Sequence, residues 1–331
     1  MRLKKKILAL LIAICAVIFL PNIAVFASGN DNFVYLGGIP AGFTLKTNGA
    51  TVIGLNDVVT ADGMVSPSRN GDIRIGDVIL SVNDVSVSGL SSITEILKNC
   101  KGEPLRIKIK RNGEISVKYV LPGKDVGGNY RLGLFLRDDL NGIGTITFFK
   151  SNGDFGALGH PVLDENGEML EILGGNCYLC SIIGLVKGEK GKAGELKGIF
   201  LDSDKIGELK NNNNTGLYGS ADKNYDYKKF SKVETGEGVV GNASIITCID
   251  GVTPKEYHIS IVKVDSENKE NKNYVIKIND KELLRATNGI LQGMSGSPIL
   301  QNGKLIGAVT HVFINDPSRG FGINIGKMLE N

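Results

Sequence analysis

Apolar and polar positions alternate along most of this chain in short runs, broken at close intervals by glycine, asparagine and aspartate. That rhythm predicts short strands joined by tight turns rather than helices. Residues 43–55 alternate on either side of Gly49 and predict a hairpin. Ile73 and Ile75 lead into a Gly76-Asp77 turn, and 78–82 is a short strand. Residues 91–98 switch to helical spacing, with Ile93, Ile96 and Leu97 on one side. Strands at 105–110 and 114–121 are joined by Asn112-Gly113, a strong hairpin signal. Strands, one helix and more strands within 32–122 describe a small β-sandwich with a side helix. Residues 123–131 read as a glycine-containing linker. Further strands are predicted at 143–149, 196–201, 239–249, 258–264 and 274–278, with the asparagine-rich 210–215 as a solvated loop. The expected fold is mainly β, the second domain at 132–331 being a sandwich or barrel.

The first residues break the rhythm. Arg2, Lys4, Lys5 and Lys6 precede an apolar run over 7–20, then Pro21, Asn22 and a second apolar stretch to Ala27. A basic flank, an apolar segment and small residues are the layout of a secretory signal, with cleavage expected after Ala27. The segment is also about long enough for an uncleaved anchor. In both readings the rest of the chain crosses the membrane.

Composition adds boundaries. A chain of 331 residues suggests two domains. Its net charge of +3, partly the leader's own, gives no footprint for a nucleic-acid partner. Four cysteines lie beyond the leader. Cys177 and Cys180 have C-x-x-C spacing, but no second pair completes a zinc set, so they are read as small core residues. No metal or cofactor motif is present in the sequence.

The sharpest candidate chemistry lies at Gly293-Met-Ser-Gly-Ser-Pro-Ile299. A serine hydroxyl needs a base to remove its proton and N–H donors where the carbonyl oxygen becomes negative. Glycines around Ser295 let the backbone approach a substrate, and the N–H groups of Gly293 and Ser295 are the candidate oxyanion hole. Residues 297–312 form strand, Asn302-Gly303 turn and strand, so Ser295 enters a hairpin. This resembles the nucleophile loop of chymotrypsin-like peptidases. The chain has three histidines. His160 lies in a turn between Gly159 and Pro161 and is the preferred base. His311 is a distant second, and His258 sits in an alternating strand. For the third group, Asp280 and Asp202 stay open on chemistry alone, and Asp280 is also well placed as a helix N-cap.

The run Asn70-Gly-Asp-Ile-Arg-Ile-Gly-Asp-Val-Ile-Leu-Ser-Val-Asn83 with Val85-Ser-Val-Ser-Gly89 resembles a PDZ domain. That resemblance implies strand-edge peptide binding at Gly42, Phe43 and Leu45. The preceding loop has no Gly-Leu-Gly-Phe signature. Taken with Gly142-Ile-Gly-Thr-Ile-Thr-Phe148, Ala157-Leu-Gly-His-Pro161, Gly289-Ile-Leu-Gln-Gly-Met-Ser-Gly-Ser-Pro298 and Gly307-Ala-Val-Thr-His-Val312, the whole chain resembles the SpoIVB-type serine peptidases of endospore-forming bacteria. The resemblance implies Ser295 and His160 as catalytic residues and ranks Asp280 above Asp202. It also implies action in the forespore intermembrane space, with cleavage of itself and of a membrane-bound regulator of an intramembrane protease. The PDZ-like block would recognise substrate or mediate self-association. No cofactor is implied. The competing reading is a PDZ-type signalling module in which Ser295 is not catalytic. An esterase is disfavoured, because Gly293-x-Ser295-x-Ser297 is not the Gly-x-Ser-x-Gly elbow.

Overall fold

The computed structural model describes residues 33–331, apart from 88, 165 and 166. The predicted leader over 1–27 lies outside the described residues. Two antiparallel barrels and a small inserted module make up the described chain.

The first barrel uses six strands: β1 (Pro40–Leu55), β2 (Leu134–Phe149), β3 (Asp154–Ala157), β4 (Ile172–Val186), β5 (Gly194–Asn213) and β6 (Gly216–Ala221). The ring runs β2-β3-β6-β5-β4-β1 and closes because β1 pairs back onto β2. Phe43, Leu45, Ile146, Phe149, Phe155, Ile206 and Leu217 share its core. The second barrel is closed by β7 (Gly241–Thr247), β8 (Lys255–Val264), β9 (Tyr274–Ile278), β10 (Pro298–Gln301), β11 (Lys304–Phe313) and β12 (Asp316–Asn324). Alternation explains both: Tyr257, Ile259 and Ile261 point inward while residues between them face out. Closure leaves no free sheet edge within a barrel. Between the barrels, Val34, Leu36, Phe148 and Tyr218 pack on Leu305, Ala308, Ile323 and Met328.

The module resembling a PDZ domain interrupts the first barrel between β1 and β2. The second half of β1 pairs with Val78–Val82, which pairs with Leu105–Arg111, and that with Glu114–Val120. Helix α1 (Leu90–Asn99) buries Ile93 against Ile79, Ile107 and Ile109. The expected Asn112-Gly113 turn is present, with φ of 50° and 84°. The buried Asp77 carboxylate accepts from the Arg74 N–H and is gripped by Arg111, whose Nε lies 2.6 Å away.

Four expectations are corrected. The hairpin at Gly49 is a continuous strand. Gly49 takes a φ of 102° and passes so close to the neighbouring strand that a Cβ would lie 2.6 Å from the Ile79 carbonyl. It therefore bends β1 from barrel to module. Gly42, Phe43 and Leu45 belong to the barrel wall, not to a peptide-binding edge. Gly42 and Leu45 pair with Ile143 and Leu140 on one side, and with Tyr178 and Gly175 on the other. Both main-chain edges are taken, and Phe43 and Leu45 are buried, so no strand can be added there. The linker at 123–131 is itself a hairpin, Gly123–Lys124 against Tyr130–Arg131, pinned by Asp125 to Asn129 and Arg131. The solvated loop at 210–215 is instead the end of β5 and its turn into β6. Cys177 and Cys180 are free and buried in the cores of the two barrels.

Candidate active site

His160 follows β3 in a turn with two consecutive left-handed residues, Leu158 (φ 68°) and Gly159 (φ 72°). That conformation is costly for leucine. It is held because the Leu158 N–H donates to the Thr145 carbonyl and the side chain is buried in the barrel core. Beyond His160, Asn212 of β5 clamps the chain. Its Oδ1 accepts from the Val162 N–H at 2.9 Å, and its Nδ2 donates to the Val162 and Leu170 carbonyls at 2.8 Å each.

Ser295 lies in the loop between Leu291–Gln292 and β10. Gly296 has a φ of 92°, and a Cβ there would sit 2.1 Å from the Thr145 carbonyl oxygen. Only glycine lets the loop press so closely onto the first barrel. Two threonines of β2 grip it. The Thr145 N–H donates to the Ser295 carbonyl at 2.9 Å and its hydroxyl to the Gly293 carbonyl at 3.1 Å. The Thr147 hydroxyl donates to the Gly296 carbonyl at 2.8 Å. Thr145 thus touches both the Ser295 loop and the turn that carries His160. The N–H groups of Gly293 and Ser295 take no part in these tethers.

The Ser295 hydroxyl donates to the Thr310 carbonyl at 2.8 Å. His160 packs beside His311, with ring centroids 4.8 Å apart. Its Nδ1 is 2.8 Å from the Pro161 carbonyl. A carbonyl can only accept, so Nδ1 carries the proton and Nε2 keeps a free lone pair. Burial lowers the His160 pKa below 6.5. His311 is exposed as a residue, yet its ring is lowered to about 4 by displaced water and by His160 beside it. Both rings are therefore neutral at pH 7.

The structure does not bring Asp280 to His160. Asp280 caps helix α2 (Lys281–Thr287): one carboxylate oxygen accepts from the Leu283 N–H at 2.9 Å, the other from the His258 N–H at 3.4 Å. Those N–H groups hold its pKa down. Asp202 is exposed on β5. Among the described residues no carboxylate pairs with the His160 ring, and the Pro161 carbonyl is the partner of its Nδ1. No cluster of three His, Cys, Asp or Glu able to hold a metal occurs among the described residues.

Sequence reasoning missed Thr145, Thr147 and Asn212. The two threonines alternate within the otherwise apolar stretch 143–149, which places them on one face. Asn212 was hidden in a run of four asparagines.

Comparison with known proteins matches residues 128–329 to the family described as SpoIVB peptidase S55 and residues 63–111 to the PDZ domain. Among solved structures, the inactive form of the Rv3671c protease is 13% identical, with 57% of this chain and 81% of that one covered and a TM-score of 0.34. A serine-to-alanine mutant of the same protease from M. tuberculosis H37Rv is 11% identical, with 57% and 80% covered and a TM-score of 0.31.

Proposed function

Since this chain belongs to the SpoIVB peptidase S55 family and is a serine peptidase with a PDZ domain, we propose that Ser295 is its nucleophile and His160 its general base. The observation that carries this reading is the double grip of Thr145, which holds the Ser295 loop and the His160 turn against each other across the two barrels. In catalysis the Ser295 hydroxyl leaves the Thr310 carbonyl and turns to Nε2 of His160. The imidazole takes its proton as the oxygen attacks the peptide carbonyl, then passes that proton to the departing amine. The N–H groups of Gly293 and Ser295 receive the oxyanion. The Pro161 carbonyl keeps the productive tautomer, the task a carboxylate performs in a full triad. Asp280 serves the fold through its cap.

The family supports a finer reading. The peptidase is exported across the cytoplasmic membrane, cuts itself, and cuts a membrane-associated regulator during endospore formation. The PDZ domain favours a protein substrate and offers a surface for self-association.

The test compares the full chain with its Ser295→Ala and His160→Ala variants by mass spectrometry of self-cleavage and of an added protein substrate. Each single variant is expected to lose cleavage to a similar extent, and the double variant to be little worse, because the pair works as a unit. Fragments that persist unchanged in folded Ser295→Ala would remove Ser295 as nucleophile.

A further inference from the structure

Just upstream of Ser295 the nucleophile loop runs beside the first barrel. Leu291–Gln292 pairs in parallel with the start of β5, which sets Glu195 beside Gln292. A depression of about 450 Å³ opens there between loop and barrel. Its walls include Asn141, Ile143, Glu195, Leu196, Phe200 and Gln292. Gly293, the first glycine of the nucleophile motif, also borders it. A substrate side chain near the scissile bond therefore has this hollow within reach.

Its lining has two characters. Leu196 is buried, while Ile143 and Phe200 are half-buried, giving an apolar floor. Asn141, Glu195 and Gln292 are exposed around it. Glu195 is the single ionisable residue of the lining. Its cationic neighbour Lys197 is 3.8 Å away, with the two side chains 50% and 59% exposed respectively. A pair so open to water contributes little, so another cation can replace Lys197 at small cost.

An apolar floor with a carboxylate at the rim suits a side chain with an aliphatic stem and a cationic tip. An acidic side chain would meet like charge, and a short polar one would leave the floor uncovered. We propose that Glu195 is a specificity residue that directs this peptidase to bonds flanked by lysine or arginine. The proposal rests on Ser295 as nucleophile, since the loop that carries it forms one wall of the hollow.

The experiment uses the full chain on a degenerate peptide library, with cut sites read by mass spectrometry. Matched peptides carrying Lys, Arg, norleucine or Glu at the selected position then follow. We expect kcat/KM to favour Lys or Arg over norleucine by about two- to fivefold, the range of a solvent-exposed ion pair. Glu195→Gln should remove most of that preference while thermal stability stays unchanged. Glu195→Lys should shift preference toward the Glu peptide. Equal discrimination by the parent and Glu195→Gln overturns the proposal. If the parent cuts nothing, the role of Ser295 fails separately, and fluorescence anisotropy of the same peptides on the Ser295→Ala chain decides. Tighter binding of Lys than norleucine, abolished by Glu195→Gln, supports the proposal, and equal binding overturns it.

Discussion

Gly296 sets how closely the Ser295 loop meets the first barrel. Gly296→Ala would drive a methyl into the Thr145 carbonyl and the Leu158 N–H while holding φ at 92°. The strain is on the order of 3 kcal/mol, or the loop shifts instead. A displacement of that kind should lower kcat/KM by roughly 100-fold, measurable beside the melting temperature. The acid limb of the pH profile tests the base. The His160 pKa is lowered by burial, and the base must be unprotonated, so kcat/KM should hold at pH 6.5 and fall only below it. Stability has the same direction. Below about 6.5 an unfolded His311 binds a proton that the folded residue refuses until about pH 4. Acid titration should therefore erode stability across that window, less so in His311→Phe. Asp280→Ala should cost about 1 kcal/mol through the lost cap, with the rate per folded molecule nearly unchanged. A large rate loss at unchanged stability would return Asp280 to the chemistry. His160 and Ser295 stand out in the sequence because glycines flank them in ways a core has no use for. The cap role of Asp280 was also legible. The absence of Asp280 from His160 was not, because separation in sequence does not give distance in space.

Among the elements, those with local signals were read well and those decided by distant partners were not. The Asn112-Gly113 and Asn302-Gly303 turns carry positive φ at all four residues, so the hairpins announce themselves. The strand Tyr274–Ile278 appears with the expected ends. Gly49 misled because a glycine within alternating residues marks both a turn and a bend. The choice falls to β2 and β4, which pair with the first half of β1 from far along the chain. The same distant pairing closes the edge at Gly42, Phe43 and Leu45. Two element-scale variants test the scaffold. Asp77→Ala leaves the Arg74 N–H without its acceptor and Arg111 with Asp72 alone, and should destabilise the inserted module by about 2 kcal/mol, read by chemical denaturation. Asn212→Ala frees the His160 turn. It should reduce kcat more than it reduces the melting temperature, and Asn212→Asp, which keeps only the acceptor to Val162, should recover part of the rate.

At the scale of the whole molecule, the sequence suggested modules in series, 32–122 and then 132–331. The pairing shows one module set inside another. β1 and β2 run side by side from barrel to module, Leu134 opposite Leu55 at one end and Thr145 opposite Pro40 at the other. Composition and local periodicity carry no trace of this, since strands of either module alternate alike. A shared ladder couples the two folds, so heating should give one cooperative transition for residues 33–331, with the calorimetric and van't Hoff enthalpies in agreement. Two well-separated transitions would show the module to be independent.

The ladder has a consequence for the proposed self-cleavage. A break anywhere in the turns of the inserted module severs the chain between β1 and β2 but leaves their hydrogen bonds and the buried sides of Phe43 and Leu45 in place. The two pieces would migrate together on a native gel and part only in denaturant. A cut molecule would then be indistinguishable in shape from an uncut one, and its history would be written only in its new chain ends.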